Sequence, residues 1–421
     1  MESLRIFETH NNYITSNFYK EVSYCQLENH LHYKDKSYDY KIKYLQSNNT
    51  QYIDTGIKPN NNSTIRFVTS VECTNANRRI IIGNYYASAT GEKTINIEIY
   101  KSSSNNKLRL YTAQDSSSVD IIDSNTLVFN KPIDIDVTLN CDTNTWTGTI
   151  SNNGNTYIIS KSAKPNMGTQ LRNFRLFLDY RTNPSSVAYP LIMYYCKIYL
   201  DDKLVRDFIP VRKDNIGYMY DKVSKQIFEN KGTGSFTLGP DIVPIQYLES
   251  NKAQYINTDI KPCMNKIRCI CDMMPLDTAD TAFFGTRGTY YLFYNVGGNY
   301  FWPTSKCETI NGTLQINNIY HVDWNKGILE ITGNNGVYQK GIRSNSTQDN
   351  TPMYIFDFNP NDSSNRKTKA RLYFFKIYID DILLRDLIPI RIGTIGYLYD
   401  KISNKIFGNL GTGNFVLGPD K

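Results

Sequence analysis

The segment Lys197–Asp241, KIYLDDKLVRDFIPVRKDNIGYMYDKVSKQIFENKGTGSFTLGPD, returns near the end of the chain as Lys376–Asp420, KIYIDDILLRDLIPIRIGTIGYLYDKISNKIFGNLGTGNFVLGPD. The two segments align without a gap and share 29 of 45 positions. Six of the 16 remaining positions exchange one apolar residue for another. The spacing of the two copies is far larger than that of a solenoid repeat, so it indicates that a whole domain has been duplicated.

The start of each unit repeats as well. YLQSNNTQYIDTGIKP begins at Tyr44, and YLESNKAQYINTDIKP begins at Tyr247. These repeats predict a leader over 1–42, a first unit over 43–241 and a second unit over 246–420. The linker from Ile242 to Ile245 is short, so we expect the two units to lie close together.

The composition favours strands over helices. The chain contains 33 Tyr and 19 Phe, and only 21% of its residues are charged. This balance excludes a long-helix or coiled-coil protein, while 40% hydrophobic residues argue against disorder. The net charge of +7 is spread along the chain without a run of five like charges. We therefore expect no nucleic-acid-binding arm.

The N-terminus has neither the basic nor the apolar region of a signal peptide, and no stretch of 18 apolar residues occurs. We expect no membrane insertion. The eight Cys form no CxxC pair and do not recur between the units. The expectation is reduced, mostly buried thiols in a protein made in a cytosol, rather than a zinc ribbon or a disulfide framework.

Alternating apolar and polar residues predict short strands separated by Asn- and Ser-rich turns. The predicted strands include Thr64–Val71, Ile133–Leu139, Phe174–Leu178, Ile267–Cys271, Tyr290–Tyr294, Ile328–Ile331 and Tyr354–Phe358. No helical period accompanies them. The pattern predicts an all-β protein of two antiparallel jelly-roll sandwiches, each with about 12 to 14 strands.

The repeated segment predicts two hairpins. Asp201 and Asp202 form the turn of the first, whose second strand is expected to lose its ladder donor at Pro210. The second hairpin turns over Val223–Lys225, and a GTG turn at Gly232 follows.

Three charged residues recur in this segment: Arg206, Asp207 and Arg212 return as Arg385, Asp386 and Arg391. They have two interpretations. One is a charge network that closes the edge of the sandwich, which we favour, and the other is a ligand site.

These motifs resemble the laminin-G/concanavalin-A-like lectin domains common in proteins of phages that infect gut Bacteroides. The resemblance covers both units, including the motif FFGTR at 283–287, which the first unit replaces with IIGN at 81–84. It implies two tandem lectin-like sandwiches.

The leader carries a second resemblance. Its VSYC and LHY segments are similar to a short motif near the N-terminus of virion proteins from crAss-like Bacteroides phages. This implies a head fibre or capsid decoration that docks on capsid or other virion proteins, as a homo- or hetero-dimer. The docking residues it implies are Val22, Tyr24, Cys25, His30, His32 and Tyr33.

The sequence offers no catalytic set. Glycosidases need two carboxylates across a cleft, and the candidates Glu98, Asp134 and Asp136 neither match the usual strand motif nor recur in the second unit. His321, the one histidine inside the units, alternates with apolar neighbours as in a strand. We therefore expect a protein that is not an enzyme.

Metal sites are weakly indicated. His30 and His32, with Cys25, His10 and Asp35, form a conceivable zinc set, although pairing with a partner surface explains them better. Calcium is conceivable at the recurring turn acids Asp201, Asp202, Asp380 and Asp381, which are otherwise ordinary turn formers. The expectation is no metal and no cofactor.

Sugar binding requires an aromatic face and planar polar partners. The candidates are Tyr85, Tyr86, Tyr290, Tyr291, Tyr300 and Trp302, which lie in loops that diverge between the units. The alternative is that these aromatic residues fill the core or an interface.

Three functions compete. The first, which we favour, is a structural virion surface protein with accessory glycan contacts. The second is a receptor-binding tail or surface adhesin that recognises carbohydrate, and the third, remote, is a glycoside hydrolase. The fold alone does not separate them.

Overall fold

The structure is a computed structural model, and its described residues are 37–48, 50–58, 64–73, 79–84, 94–102, 105–111, 119–122, 127–162, 172–178, 190–278, 281–286, 293–296, 300–302, 310–311, 315–333, 336–341, 349–358 and 367–421. Over these residues the protein is all-β, with 34 strands and no helix. The same residues include no helix that could span a membrane.

The first unit consists of two antiparallel sheets. The strands of its large sheet are β1 (Tyr40–Ile42), β2 (Leu45–Ser47), β4 (Thr64–Cys73), β9 (Ile133–Asn140), β10 (Thr145–Asn152), β11 (Asn155–Ser162), β13 (Leu191–Leu200), β14 (Lys203–Lys213), β15 (Ile216–Asp221), β16 (Gln226–Phe228), β17 (Thr237–Leu238) and β18 (Asp241–Pro244). The six strands of the facing sheet are β3 (Ile53–Asp54), β5 (Arg79–Gly83), β6 (Asn96–Ser102), β7 (Asn105–Tyr111), β8 (Val119–Ile122) and β12 (Arg175–Leu176).

The second unit repeats this plan. Its large-sheet strands are β19 (Leu248–Asn251), β21 (Ile267–Pro275), β26 (Tyr320–Asn325), β27 (Ile328–Gly333), β28 (Gly336–Gly341), β30 (Lys369–Ile379), β31 (Ile382–Ile392), β32 (Ile395–Asp400), β33 (Ile406–Phe407) and β34 (Val416–Leu417). Its facing sheet contains β20 (Ile256–Asn257), β22 (Thr281–Gly285), β23 (Phe293–Val296), β24 (Tyr300–Trp302), β25 (Ile310–Asn311) and β29 (Tyr354–Ile355).

A separate hydrophobic core lies between the two sheets of each unit. In the first unit Phe67 of the large sheet meets Phe174 edge-on, with a distance of 5.2 Å between the ring centroids. In the second unit Phe375 packs the same way against Phe284 at 4.9 Å. Both pairs are buried, as the alternation in β4 and β30 requires. The structure is thus two tandem antiparallel sandwiches, as predicted, but the described residues form 18 and 16 strands rather than about 12 to 14 in each unit, because several of the strands are only two or three residues long.

The recurring sequence motifs have a common structural role. Gln51 accepts a hydrogen bond from the amide of Asn48 and donates one to the carbonyl of Thr233 in the GTG turn. Gln254 makes the same pair of bonds in the second unit, donating to the carbonyl of Thr412. The motif at the start of each unit therefore holds the motif at its end, which explains why both were duplicated together.

The predicted hairpins are present, but β14 does not stop at Pro210. Pro210 lies opposite Met219 within a ladder that continues to Lys213. The strand continues because β1 pairs with its far end, Tyr40 with Arg212. The predicted leader over 1–42 therefore includes a strand of the first sandwich.

Two predicted strands are shorter than their alternation suggested. β12 ends at Leu176 because Phe177 has a φ of +71°, and β29 ends at Ile355 because Phe356 has a φ of +67°. In the first unit the amide of Phe177 donates to the carbonyl of Ile81 on the neighbouring strand β5. In the second unit the amide of Phe356 donates to the carbonyl of Phe283 on β22. This backbone change leaves no mark on the alternation.

Candidate functional site: the junction cleft and the first-unit groove

Most residues predicted for ligand or partner contacts lie outside the described residues. These are Tyr85, Tyr86, Tyr290 and Tyr291 for carbohydrate, and Val22, Tyr24, Cys25, His30, His32 and Tyr33 for docking. His10 and Asp35 also lie outside them. Tyr300 and Trp302 lie on β24, where the description covers the backbone alone. All of these remain predictions.

The carboxylates considered for glycosidase chemistry are each engaged with a cation. Buried Glu98 lies 3.6 Å from Arg109, and Asp136 forms a two-pronged pair with Arg66 at 2.7 Å. Glu98 lies in the small sheet, whereas Asp136 lies in the large one. On β9 Asp136 alternates with the buried Ile135 and Val137, so its side chain points away from the core and from the small sheet, and it does not face Glu98 as an acid and base pair would.

His321 lies on β26 between buried Tyr320 and Val322, as the alternation predicted. Its Nδ1 lies 2.7 Å from Oδ1 of Asp272 on the adjacent strand. The pair therefore joins two strands of one sheet.

The turn acids form hairpin turns. The φ values at Asp201 and Asp202 are +49° and +61°, and they are +48° and +65° at Asp380 and Asp381. These angles are those of a two-residue hairpin turn. Asp380 and Asp381 pair with lysines at 3.2 and 2.7 Å. Within the ranges that the structure describes, no group of three His, Cys, Asp or Glu side chains is placed to hold a metal.

The recurring Arg and Asp residues form a charge network. Arg206 lies 3.6 Å from the buried carboxylate of Asp221, and Asp207 pairs with Lys222 at 3.0 Å. Arg212 donates two hydrogen bonds to Asp241, at 2.7 and 2.8 Å. The second unit repeats all three arrangements: Arg385 with Asp400, Asp386 with Lys401, and Arg391 with Asp420. These ion pairs, repeated in both units, agree with the charge network favoured from the sequence.

The linker joins the two units as a strand. β18 pairs with β1 of the first unit through Lys41 and Ile242, and with β31 of the second through Val243 and Arg391. The large sheets of the two units are thereby joined. A small apolar cluster covers the joint, formed by Ile242, Ile390 and Tyr399 together with partly buried neighbours.

Polar contacts cross the junction beside this cluster. Lys405 lies 2.9 Å from the carboxylate of Asp134. The buried amide of Asn404 donates to Asp207 at 3.1 Å. Lys197 donates to the carbonyl of Ile402 at 2.6 Å. Burial lowers the pKa of Lys197.

A cleft of about 300 Å³ lies at this junction. Its walls are mostly apolar and include tyrosines from both units, with lysines at the margin: Tyr194, Tyr195, Tyr397, Tyr399, Lys41 and Lys405. The ammonium of Lys41 lies 4.0 Å from the centroid of the Tyr399 ring. Burial raises the pKa of Tyr399, with Asp207 adding to the effect, so its hydroxyl stays protonated and donates to Asn404 at 2.7 Å.

A second, more open groove of about 560 Å³ lies on the first unit alone. Tyr52 and Tyr218 supply aromatic surface, while Asp54, Glu229 and Lys231 supply charge. The groove forms where β3, β15 and the loop after β16 meet. It therefore combines the two chemistries that sugar recognition requires.

The groove side chains are held by their neighbours. The guanidinium of Arg175 lies 4.1 Å from the centroid of the Tyr52 ring and covers one face of it. Oδ1 of Asp54 accepts hydrogen bonds from the amide of Gly56 and from Asn173, both at 2.9 Å. This fixes the Asp54 carboxylate before any ligand arrives.

Glu229 and Lys231 form the exposed rim of the groove. Their charged groups lie 2.5 Å apart, and the hydrogen bond from Lys231 lowers the pKa of Glu229. The Glu229 carboxylate is therefore ionised at neutral pH.

The second unit has a different set of side chains at the equivalent positions. The aligned pairs are Tyr52 and Tyr255, Asp54 and Asn257, Gly56 and Asp259, Tyr218 and Tyr397, Glu229 and Gly408, and Lys231 and Leu410. Both rim charges are lost there, and Tyr397 lines the junction cleft instead. This groove was not among the sites predicted from the sequence, although these substitutions within otherwise matching motifs are the signal that could have revealed it.

No family model and no curated protein matches the sequence. Solved structures with a similar fold include domains LG4–5 of the mouse laminin α1 chain, at 8% identity and a TM-score of 0.29 over 91% of this chain and 96% of that chain. A protein of Bacteroides ovatus, provisionally described as carbohydrate-binding, is similar at 8% identity and a TM-score of 0.32 over 85% and 93%. A Trypanosoma rangeli sialidase is similar at 9% identity and a TM-score of 0.24 over 70% and 67%.

Proposed function

We propose that this protein is a non-enzymatic structural component of a virion surface, a head fibre or capsid decoration. Its N-terminal segment attaches to capsid or other virion proteins. The two lectin-like units then face outward as a pair and make accessory contacts with host or mucosal glycans.

The observation that carries the proposal is the junction between the units. Strand β18 belongs to the ladders of both units, and an apolar cluster and several hydrogen bonds reinforce it. Two sandwiches joined in this way move together, as a projecting structural element requires. The leader and the motifs repeated in the two units support the virion assignment through their resemblance to phage proteins.

Imaging of particles tests this role. Cryo-electron microscopy of wild-type particles, and of particles produced without this protein, should differ by a two-lobed surface density. Gold-labelled antibodies against the protein should mark the same place. Identical particles without any antibody label would contradict the proposal.

The attachment segment needs its own experiment. Purified protein is added back to particles that lack it, and bound protein is quantified. A Tyr24→Ala/His32→Ala variant should lose binding, whereas Ile158→Ala, at a side chain 84% exposed on β11, should bind as the wild type does. Equal binding by both variants would contradict attachment through the leader.

The alternative function is a tail or surface adhesin whose main role is carbohydrate recognition. The first-unit groove favours this alternative, because its aromatic and charged side chains are those of a sugar site. Tight binding of the isolated protein to host glycans, with no antibody label on the capsid, would favour the adhesin.

A further inference from the structure

The two units offer an internal comparison, because they share a backbone plan while differing at one surface. At the groove the first unit has Asp54, Glu229 and Lys231, and the repeat motifs around these positions are otherwise retained. The motif residues that build the fold, such as Gln51, recur in the second unit. The fold that both units share therefore does not require charges at these positions, since the neutral Asn257 accepts the same bond from the amide two residues on that Asp54 accepts in the first unit.

We propose that the first-unit groove is a binding site for a neutral pyranose sugar, and that the second unit lacks this site. This deepens the glycan contact in the proposed function and is independent of the virion role. The tyrosines take the apolar face of the ring, and the carboxylates accept hydrogen bonds from its hydroxyls.

The carboxylate of Asp54 is the orienting group. Its Oδ1 is held by Gly56 and Asn173, and the structure gives its Oδ2 no partner among the described residues. A carboxylate held in this way can receive a sugar hydroxyl without losing further side-chain freedom. A hydrogen bond to a charged acceptor is also stronger than one to a neutral acceptor.

The rim defines the class of sugar. Glu229 and Lys231 pair with each other at the surface, and both side chains are more than half exposed. An exposed ion pair of this kind is weak, so hydrogen bonds from sugar hydroxyls can replace the contact between Glu229 and Lys231 at little cost in free energy. Arg175, stacked on Tyr52, keeps its positive charge, and together with Lys231 it balances the two carboxylates, so the groove has no excess positive charge to hold an acidic sugar. A uronate or a sialate would bring its own carboxylate next to Asp54 and Glu229, whereas a neutral hexose would not.

The test uses the full chain and saturation-transfer NMR. The probes are the methyl glycosides of glucose, galactose, mannose and N-acetylglucosamine, with glucuronic acid and N-acetylneuraminic acid as acidic counterparts. We expect at least one neutral probe to bind with a Kd on the order of 1 mM, which is typical of a small site with few contacts. The acidic probes should bind more weakly.

Suitable variants are provided by the second unit. Asp54→Asn and Glu229→Gly introduce the residues that the same backbone positions already carry in the second unit. Each should weaken binding roughly 10-fold to 100-fold, the effect of losing a hydrogen bond to a charged group. Leu410→Lys, the opposite exchange in the second unit, is the matched control and should leave the Kd unchanged.

Three results would overturn the inference. They are no binding of any neutral probe, unchanged binding by both first-unit variants, and a preference for the acidic probes. Unchanged melting curves for the variants show that they remain folded. None of these results bears on where the protein is located on a particle, so the groove and the virion role can fail separately.

Discussion

Replacement of Asp221 by Ala should strongly destabilise the first unit. The Asp221 side chain is fully buried, and its carboxylate accepts hydrogen bonds from the amides of Asp207, Val223 and Ser224 at 2.8 to 3.1 Å. Arg206 lies 3.6 Å away. The change leaves the buried Asp207 amide unpaired and removes the carboxylate beside Arg206, whose guanidinium keeps its bonds to the carbonyls of Thr55 and Val205. A buried orphan donor costs about 1–3 kcal/mol, and a broken buried ion pair costs about 3–5 kcal/mol, so we expect a loss of ~3–5 kcal/mol.

Urea unfolding followed by tryptophan fluorescence measures this loss. Trp146 is buried in the first unit and Trp324 in the second. In a Trp302→Phe/Trp324→Phe background, the emission of Trp146 reports on the first unit alone. Asp142→Ala, at an exposed turn, is the control and should change stability by less than about 0.5 kcal/mol. A loss below about 1 kcal/mol for Asp221→Ala would refute the claim that the hydrogen bonds and the ion pair of Asp221 stabilise the first unit.

Three further predictions concern titration, turn geometry and the junction. Burial raises the pKa of Cys73 and Cys196 to about 12. Since an unfolded thiol ionises near pH 8.5, stability should be level below about pH 8.5 and fall as the pH rises towards 12, by ~1.4 kcal/mol per pH unit for each thiol. Urea titrations of a Cys73→Ala/Cys196→Ala variant should show a flatter pH dependence, and an unchanged slope would exclude these thiols as the cause. Gly232→Ala should lower the melting temperature sharply, because its new Cβ would lie 1.7 Å from a backbone carbonyl oxygen; a wild-type melting curve would contradict this. At the junction, Ile242→Ala should cost ~2–4 kcal/mol, whereas Lys405→Met, at a pair more than a third exposed, should cost less than about 1 kcal/mol by urea unfolding. The reverse order would mean that charge, not apolar contact, holds the units together.

The fold could be predicted from the sequence because alternation and turn chemistry act locally. Ile133–Leu139 alternates strictly, and in β9 every second residue from Ile133 is buried. Asp201 and Asp202 tolerate the positive φ of a hairpin turn, so the turn could be identified from residue type alone.

The differences arise where distant strands decide the outcome. Pro210 removes a donor, yet β14 continues because β1, predicted to belong to the leader, pairs with its far end. Phe177 takes a positive φ that a bulky residue avoids, and tertiary packing against Phe236 at 5.0 Å accompanies it. Neither effect is encoded within a short window of sequence.

The groove was missed for a different reason. The sugar-binding residues predicted from the sequence lie in loops that diverge between the units, whereas the residues of the groove lie inside the repeated motifs. Asp54 differs from Asn257 by a single functional group within an otherwise matching stretch. Substitutions on a shared backbone are therefore a sharper signal than divergent loops when a domain has been duplicated.

The two copies overlap in one strand, and this affects any attempt to divide the protein. In the first unit Tyr40 of β1 lies opposite Arg212 of β14, and in the second unit Val243 of β18 lies opposite Arg391 of β31. Strand β18 therefore has the place in the second unit that β1 has in the first, and it also pairs with β1. A fragment that begins at residue 246 would strip the covering strand from β31 and expose its amides and carbonyls. Bare edges of this kind recruit other chains, so such a fragment would be prone to aggregate. Fragments of the second unit should therefore begin before Asp241, at the expense of the first unit's last strand.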